Sequence, residues 1–385
     1  MELILLPQNS GTTLRDIYKR ALRKSVELYM VSAYLTHWDI EEELGDQCQS
    51  FMFIVGKDFG ITRKSACEKV LKWIPRHRKA QFLAAELIDG FHPKALYWRE
   101  LDGDCYALVG SSNLSKAAFS TNHEANGYSK ISHEAFASAA DWVLRLSKCC
   151  VTLDQNWLTL YREATQPKAP PRSNKRASKE QVLDLQLPSP SELPGLKKIL
   201  RERREQMRQF QQTKIALESL FRTAAATPRW SAQRNEAFYD GLNALWSIGR
   251  GNRFQGSGWE RRGKGSDFRE FARSLIRVLD AENISRDEVV TREIDRLDVV
   301  GVSTRGALFS EMLCQFFPAS YHLIDRPISD WLSETGVAPS GGTEGNRYLQ
   351  SARLLRVALQ STEDYPAKNL AELDVIIWLD RNREH

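Results

Sequence analysis

Two short apolar runs, each beside a polar cluster, constrain the fold of this chain more than any other feature. The runs are residues 95–98 and 106–109, and both have the length and composition of strands. The polar residues beside them are His92 and Lys94 before the first run, and Ser111 and Asn113 after the second. Alternation along a strand puts His92 and Lys94 on the same face. If the two strands pair, these four side chains meet at one end of a sheet.

Such a cluster suits phosphodiester chemistry. A neutral imidazole can attack phosphorus and carry the phosphoryl group as a covalent intermediate. The Lys94 ammonium and the Asn113 amide can hold the non-bridging oxygens, where negative charge develops in the transition state. Glu124 lies downstream and could fix the tautomer of a histidine. This arrangement requires neither a metal nor a cofactor, and we expect none.

The sequence His92-Pro93-Lys94 with a downstream Gly110-Ser111-Ser112-Asn113 resembles the signature of the phospholipase D superfamily, H-x-K followed by G-S-x-N. It is most similar to the single-motif nucleases, which include some restriction endonucleases, and the similarity covers roughly the first 150 residues. The resemblance implies the following roles: His92 as nucleophile, Lys94 and Asn113 as phosphate ligands, Ser111 as a supporting ligand, and Glu124 as the partner of the histidine.

Two features depart from the family pattern. The family often has Asp five residues after the lysine, where this chain has Arg99. A second H-x-K, His77-Arg78-Lys79, lacks a G-S-x-N of its own, and we interpret it as a chance occurrence. The family builds one active site from two such halves, so the resemblance implies that two chains form the site together. We therefore expect a homodimer through the N-terminal domain.

Length and composition suggest two domains of an ordinary globular protein. The chain has 385 residues, of which 42% are hydrophobic, and its net charge of +5 is too mild to indicate nucleic-acid binding by itself. The six cysteines show no metal-ligand spacing, which favours free thiols in a reducing cytoplasm. Residues 1–6 are too short for a signal peptide, and no run reaches membrane-spanning length. We expect a cytoplasmic protein without membrane attachment.

Alternating patterns predict an α/β N-terminal domain over residues 1–164, a phospholipase D-like mixed sheet with flanking helices. Predicted strands are 2–6, 27–35, 51–55, 95–98, 106–109 and 124–128, and predicted helices are 12–24, 61–73 and 134–148. A segment rich in Pro, Ser, Lys and Arg follows, which predicts a flexible basic linker over residues 165–193. Residues 194–385 then predict a mainly α-helical domain that binds DNA or selects the target.

Two basic segments bear on that domain. The long helix from Pro194 carries six basic residues in about three turns, for which a phosphate-binding face and a solvated helix face are equally good interpretations. Residues 250–269 form a Gly-rich basic loop interleaved with aromatic residues, which favours nucleic-acid contact over a plain surface loop. The predicted nucleic-acid-binding residues are Arg250, Arg253, Arg261, Arg262 and Lys264.

These observations predict a metal-independent nuclease that cleaves DNA through a covalent phosphohistidine at a dimer interface. RNA stays open as a substrate, and a restriction or anti-phage role follows by family analogy alone. One alternative is a non-catalytic DNA-binding subunit of a defence or repair system, which would work with a separate helicase or ATPase because the chain has no Walker loop. The other alternative is a phospholipid phosphodiesterase. Such an enzyme usually needs a membrane-binding helix, and we find none in the sequence, which counts against this alternative.

Overall fold

The computed structural model describes residues 1–7, 13–164, 183, 185–256, 260 and 265–381. The chain divides into two compact units, Met1–Asp184 with Ser340–Gly342, and Leu185–Pro339 with Thr343–His385. The boundary between the units lies inside the predicted linker 165–193. Residues 165–182 and 184 of that linker lie outside the described residues.

The first unit is built on a mixed sheet, which in the described residues has eight strands in the order β1-β7-β6-β5-β2-β3-β4-β8. The strands are β1 Glu2–Leu6, β2 Ser25–Ser32, β3 Ser50–Val55, β4 Phe82–Ala85, β5 Lys94–Glu100, β6 Cys105–Gly110, β7 Glu124–Ile131 and β8 Cys150–Thr152. The helices are α1 Leu14–Lys24, α2 Lys64–Trp73, α3 His133–Ser147 and α4 Gln155–Leu160. This unit has the predicted α/β architecture.

The sequence pattern explains the order within the sheet. β3 is apolar after Ser50 and fully buried, and it pairs in parallel with β2 and β4, as is typical of strands covered on both faces. β6 and β7 contain half-buried and exposed residues beside their buried ones, so these strands are less covered than β3. The helices α1 and α3 both contact the central strand β2. Thr13 begins α1 with a capping box to Asp16.

The register brings the functional segments to one edge of this sheet. Ser32 at the end of β2 lies opposite Lys94 at the start of β5. β6 runs antiparallel to β5 and ends at Gly110, and β7 starts beside it at Glu124. β1 ends at the same level, since Leu6 lies opposite Glu124. We call the edge marked by Ser32, Lys94, Gly110 and Glu124 the site edge.

Two local features of the first unit were not predicted from the sequence. The short strands β4 and β8 were not predicted, because four and three residues show too little alternation to identify a strand. The Thr62 side chain, two residues before α2, does not cap that helix. Its hydroxyl donates to the Gly56 carbonyl at 2.6 Å and accepts from the Leu35 amide at 3.3 Å, while the Glu163 carboxylate accepts from the first amide of α2.

The second unit is helical over its described residues. Its helices are α5 Leu196–Ala226, α6 Ala232–Leu245, α7 Phe268–Asp280, α8 Arg286–Val299, α9 Ala307–Phe316, α10 Arg326–Glu334, α11 Glu344–Ser361 and α12 Leu370–Arg381. The long helix α5 packs against α6, α7 and α12, and α8 packs against α7 and α11. The mainly helical character predicted for this region is thereby confirmed. None of the described helices is long and apolar enough to cross a membrane.

Candidate functional site

His92 and Lys94 are in contact at the site edge. The Lys94 Nζ atom lies 3.0 Å from Nδ1 and 3.3 Å from Nε2 of His92, and it donates to the His92 carbonyl at 3.0 Å. Lys94 is the first residue of β5, so the sheet fixes its backbone, and His92 stands two residues before it. The ring of Tyr34 meets the imidazole edge-on, with 5.8 Å between ring centroids. The sheet and Tyr34 thus position the predicted nucleophile.

The electrostatics favour a neutral imidazole. Partial burial lowers the pKa of His92, and the neighbouring Lys94 ammonium lowers it further. Burial also lowers the pKa of Lys94, while the Glu124 carboxylate acts in the opposite direction. A neutral imidazole has the free lone pair that attack on phosphorus requires.

Ser111 and Glu124 lie together beside this pair. The Ser111 hydroxyl donates a short hydrogen bond to the Glu124 carboxylate and accepts from the Ala125 amide at 3.0 Å. Glu124 also accepts from the Asn122 side-chain amide at 3.1 Å. The structure therefore joins Glu124 to Ser111, and the predicted orientation of a histidine by Glu124 stays a prediction.

Asn113 connects the loop after β6 to the segment after β2. Its Oδ1 accepts from the Tyr34 amide at 3.2 Å. The carbonyl of the next residue, Leu114, accepts from the amides of Thr36 and His37, and the Leu114 amide donates to the Ser32 hydroxyl. These bonds place the Asn113 side chain at the site edge with Tyr34 and His92.

Sequence analysis missed a buried pair of hydrogen bonds between Ser112 of this loop and Asn126 of β7, which we call the clamp. Asn126 is 4% exposed, and its amide donates to the Ser112 hydroxyl at 2.9 Å while its carbonyl oxygen accepts from the Ser112 amide at 3.3 Å. Gly110 makes room for it, because a Cβ atom at Gly110 would lie 2.2 Å from Asn126 Oδ1. The clamp fixes Ser111 and Asn113 on either side of Ser112. Nothing in the sequence pairs Ser112 with Asn126 until the register of β6 and β7 is known.

A second missed residue, Asp58, lies after β3. It is buried, and its carboxylate accepts hydrogen bonds from the backbone amides of Gly90 and Phe91, directly before His92. Burial raises the pKa of Asp58, and burial together with the Asp58 charge raises the pKa of Tyr34. Asp58 therefore holds the turn that leads into His92.

Two sequence features are remote from the site edge. Arg99 lies near the other end of β5, five residues from Lys94, and its guanidinium Nε donates to the Glu27 carboxylate at 2.8 Å. At about 3.3 Å per residue, this separation is roughly 16 Å. His77 lies in a 3-10 turn, Arg76–Gln81, that precedes β4 at the opposite edge of the sheet from His92.

The predicted basic loop divides into buried, exposed and undescribed parts. Arg250 is exposed, whereas Arg253 is 3% exposed, pairs with Glu260 and packs its guanidinium over the Trp246 ring at 4.9 Å. In this conformation the Arg253 side chain is buried against Glu260 and Trp246, and its predicted contact with nucleic acid stays a prediction. The other predicted residues, Arg261, Arg262 and Lys264, lie outside the described residues.

Several basic residues of α5 also form ion pairs with acidic residues of the same unit. Arg203 pairs with Asp374, Arg204 with Glu372, and Arg208 with Glu205. Of the two interpretations that the sequence left equal, these ion pairs favour a helix face that serves packing and solvation.

Across the described part of the chain, no group of three or more His, Cys, Asp or Glu side chains could hold a metal ion.

Comparison with known proteins adds little. No family model matches the chain, and no curated protein matches it. Among solved structures, the chain is similar to NucT from Helicobacter pylori at 17% identity and a TM-score of 0.29, over 40% of this chain and 98% of that one. At these values the similarity carries no argument about function, which rests on the site itself.

The contact between Lys94 and His92 gives a direct prediction. We expect Lys94→Met to raise the pKa of His92 toward its ordinary value of 6.5, because the variant removes a neighbouring positive charge and keeps the burial. NMR titration of the imidazole Cε1 proton, assigned by loss of the signal in His92→Gln, measures this pKa. Lys116→Met, at an exposed lysine of the following loop, should leave it unchanged. An unchanged or lower pKa in Lys94→Met would show that the two side chains are not in contact in solution.

Proposed function

We propose that the first unit is a metal-independent phosphodiesterase that cleaves DNA through a phosphohistidine intermediate. The observation that carries this proposal is the Lys94 ammonium 3.0 Å from a His92 imidazole whose pKa is lowered. A neutral nitrogen nucleophile beside a fixed cation is what attack on a phosphate diester needs. Ser111 and Asn113, at the same edge, supply further groups for the phosphate oxygens.

The chemistry proceeds in two displacements. A His92 ring nitrogen forms a bond to phosphorus while the bond from phosphorus to the leaving oxygen breaks, and an acid gives that oxygen a proton. Lys94 and Asn113 hold the non-bridging oxygens as their negative charge increases. Water then attacks phosphorus and gives a proton to the group that had served as the acid, the bond from nitrogen to phosphorus breaks, and His92 and the acid are both restored.

A second copy of the chain is our candidate for the acid. His77 lies at the opposite edge of the sheet, so in our proposal the His92 of a partner chain protonates the leaving oxygen. An apolar patch beside the site edge supports such a partner. It consists of Met1, Leu3, Leu5, Val109 and Ala125, with Leu3, Leu5 and Val109 respectively 60%, 56% and 47% exposed.

The strand register makes this patch continuous. Leu3 and Val109 both lie opposite Gly127, and Leu5 lies opposite Ala125, so the side chains share one face of the sheet. A contiguous exposed apolar patch next to a polar site is typical of an interaction surface. We propose that two copies meet here and bring their His92 residues together.

A restriction or anti-phage role would be one setting for such an enzyme, by family analogy alone.

The test is cleavage with EDTA present, using single-stranded DNA, double-stranded DNA and RNA labelled at the scissile phosphate. We expect the wild-type chain to cleave DNA without a divalent metal and to acquire a label that is stable in base and lost in acid, as phosphohistidine is. Cleavage that stops in EDTA and returns with Mg²⁺ would refute the mechanism. Binding of DNA without cleavage under either condition would instead support a DNA-binding subunit.

A further inference from the structure

The helical unit has a recess that the proposed nuclease chemistry does not use. It lies between the C-terminal end of α11, the turn that follows this helix and the start of α12, and its volume is about 300 Å³. Small-molecule sites have volumes from this size upward. All of the residues that line the recess belong to the second unit and are described. We call it the α11–α12 recess.

Arg356 of α11 is a half-buried cation in the lining of this recess. Its side chain is 13% exposed, and its ion pair within the described residues joins Nη2 to Asp287 Oδ2 at 3.4 Å. Asp287 also accepts from the Tyr321 hydroxyl at 2.9 Å and from Arg353 at 3.2 Å, so Arg356 is the most distant of these three donors. A guanidinium has five N–H donors. Those that do not reach Asp287 are available to an acceptor in the recess.

A second cation lies on the turn that closes the recess. Lys368 is exposed, and its ammonium donates to the Tyr365 carbonyl at 3.3 Å without forming an ion pair to a described acidic residue. Asn369 adds an amide whose Oδ1 accepts from the Glu372 backbone amide at 3.0 Å, so its side-chain N–H donors remain for a ligand. α12 begins at Leu370, which is also in the lining, and the positive end of this helix dipole therefore adds to the attraction for an anion.

One acidic residue, Asp364, lines the recess as well. It is exposed and stands on the turn between the two helices, with a φ of 55° in the left-handed region. Arg356 and Lys368 against Asp364 leave the lining with one net positive charge. The recess thus favours an anion, and the Asp364 carboxylate weakens the attraction without cancelling it.

We propose that the α11–α12 recess binds a phosphate group. A planar guanidinium forms two parallel hydrogen bonds to phosphate oxygens, and an ammonium adds a point charge from another side. The oxygens of a phosphate point in several directions and can meet Arg356, Lys368 and Asn369 together, whereas a carboxylate presents only two oxygens in one plane. The group could belong to a nucleic-acid strand or be a free phosphate. The inference rests on the proposed function only in looking to a nucleic-acid strand as one source.

The experiment measures binding by the full-length chain carrying Lys94→Met, in which the site edge has lost its own cation. The probes are inorganic phosphate and a single-stranded oligothymidylate without terminal phosphates, each titrated at several salt concentrations. Loss of oligonucleotide binding alone in the recess variants would identify the strand as the source. Loss of binding for both probes would include free phosphate.

Lys368→Gln is the first variant, because Lys368 is exposed and the fold should persist. We expect affinity to fall at least about fivefold, and the slope of log K against log salt for the oligonucleotide to become shallower by about 0.7, the value for one phosphate contact on a single strand. Arg356→Lys keeps the charge beside Asp287 and removes the planar fork, so it should weaken binding as well.

Asp364→Asn should have the opposite effect. Asn tolerates the left-handed backbone of this position, and the variant removes the one negative charge of the lining. We expect binding to become about threefold tighter, which a merely structural disturbance would not produce. Arg326→Gln is the matched control. Arg326 is 91% exposed on α10 and lies outside the recess, so this variant should bind like the parent.

Binding of neither probe, unchanged affinity in Lys368→Gln, or weaker binding in Asp364→Asn would overturn the assignment. An equal loss in Arg326→Gln and Lys368→Gln would overturn it too, because binding would then follow overall charge. The two proposals fail separately. Recess binding without DNA cleavage by the wild-type chain would refute the nuclease alone, and cleavage without any effect of the recess variants on binding would refute only the recess assignment.

Discussion

Replacing His92 with Ala is expected to reduce DNA cleavage by a factor on the order of 10⁴ or more, because the variant loses the nucleophile and the covalent route with it. DNA binding should persist, since Lys94 and Asn113 keep their places on β5 and on the loop after β6. The measurement is single-turnover cleavage in EDTA beside a binding titration. Both use the same oligonucleotide.

His77→Ala is the matched control. His77 also belongs to an H-x-K sequence and is exposed, but it lies in the turn before β4 at the opposite edge of the sheet. We expect this variant to cleave like the wild type. Loss of activity in His77→Ala with retention in His92→Ala would reverse our assignment of the two motifs.

Mixed subunits extend the same test to the dimer. If one His92 attacks and the partner's His92 donates the proton, a dimer in which one subunit carries His92→Ala lacks one of the two groups. Equal amounts of the wild-type and variant chains, exchanged to equilibrium, should then retain about one quarter of the wild-type activity, the share of dimers with both histidines. Retention of one half would indicate that each chain works alone.

The site was predictable to the extent that it depends on short-range patterns. Lys94 begins one strand with His92 two residues before it, and Ser111 and Asn113 follow the end of another, so pairing of β5 with β6 was enough to bring them to one edge. Their roles stay predictions. The contact between Glu124 and Ser111 could not be foreseen, because it depends on the register of β6 against β7.

In the helical unit, prediction was limited where a side chain's position depends on packing between residues that are distant in the sequence. The basic loop suggested phosphate contact because the sequence shows charge and not direction, yet Arg253 points inward to Glu260 and Trp246. Asp325 is a second residue whose long-range contacts could not be predicted from the sequence. Its side chain caps α10 by accepting from the Ile328 amide, and it lines one cavity together with Asp374, 49 positions away in the sequence. Only the folded helical unit shows the cavity they share.

Gly110→Ala is expected to destabilise the first unit by about 3 kcal/mol and to impair cleavage with it. A Cβ atom there would lie 2.2 Å from Asn126 Oδ1 and 2.4 Å from the Ala125 carbonyl oxygen, far inside van der Waals contact. The second of these atoms is backbone, so β6 and β7 would have to separate. Their separation would break the clamp between Ser112 and Asn126 and displace Ser111 and Asn113. Denaturant unfolding and cleavage measured on the same preparation check both effects.

Gly127→Ala is the matched control in the neighbouring strand. A Cβ atom at Gly127 would meet chiefly the Met1 side chain, with its sulfur at 3.3 Å, and that flexible chain can move aside. We expect a change in unfolding free energy within about 0.5 kcal/mol and near-normal cleavage. Equal stability of the two variants would show that the close approach at Gly110 is not needed. Because that approach ties the start of the loop to β7, the result would also remove one of the contacts that place Ser111 at the site edge.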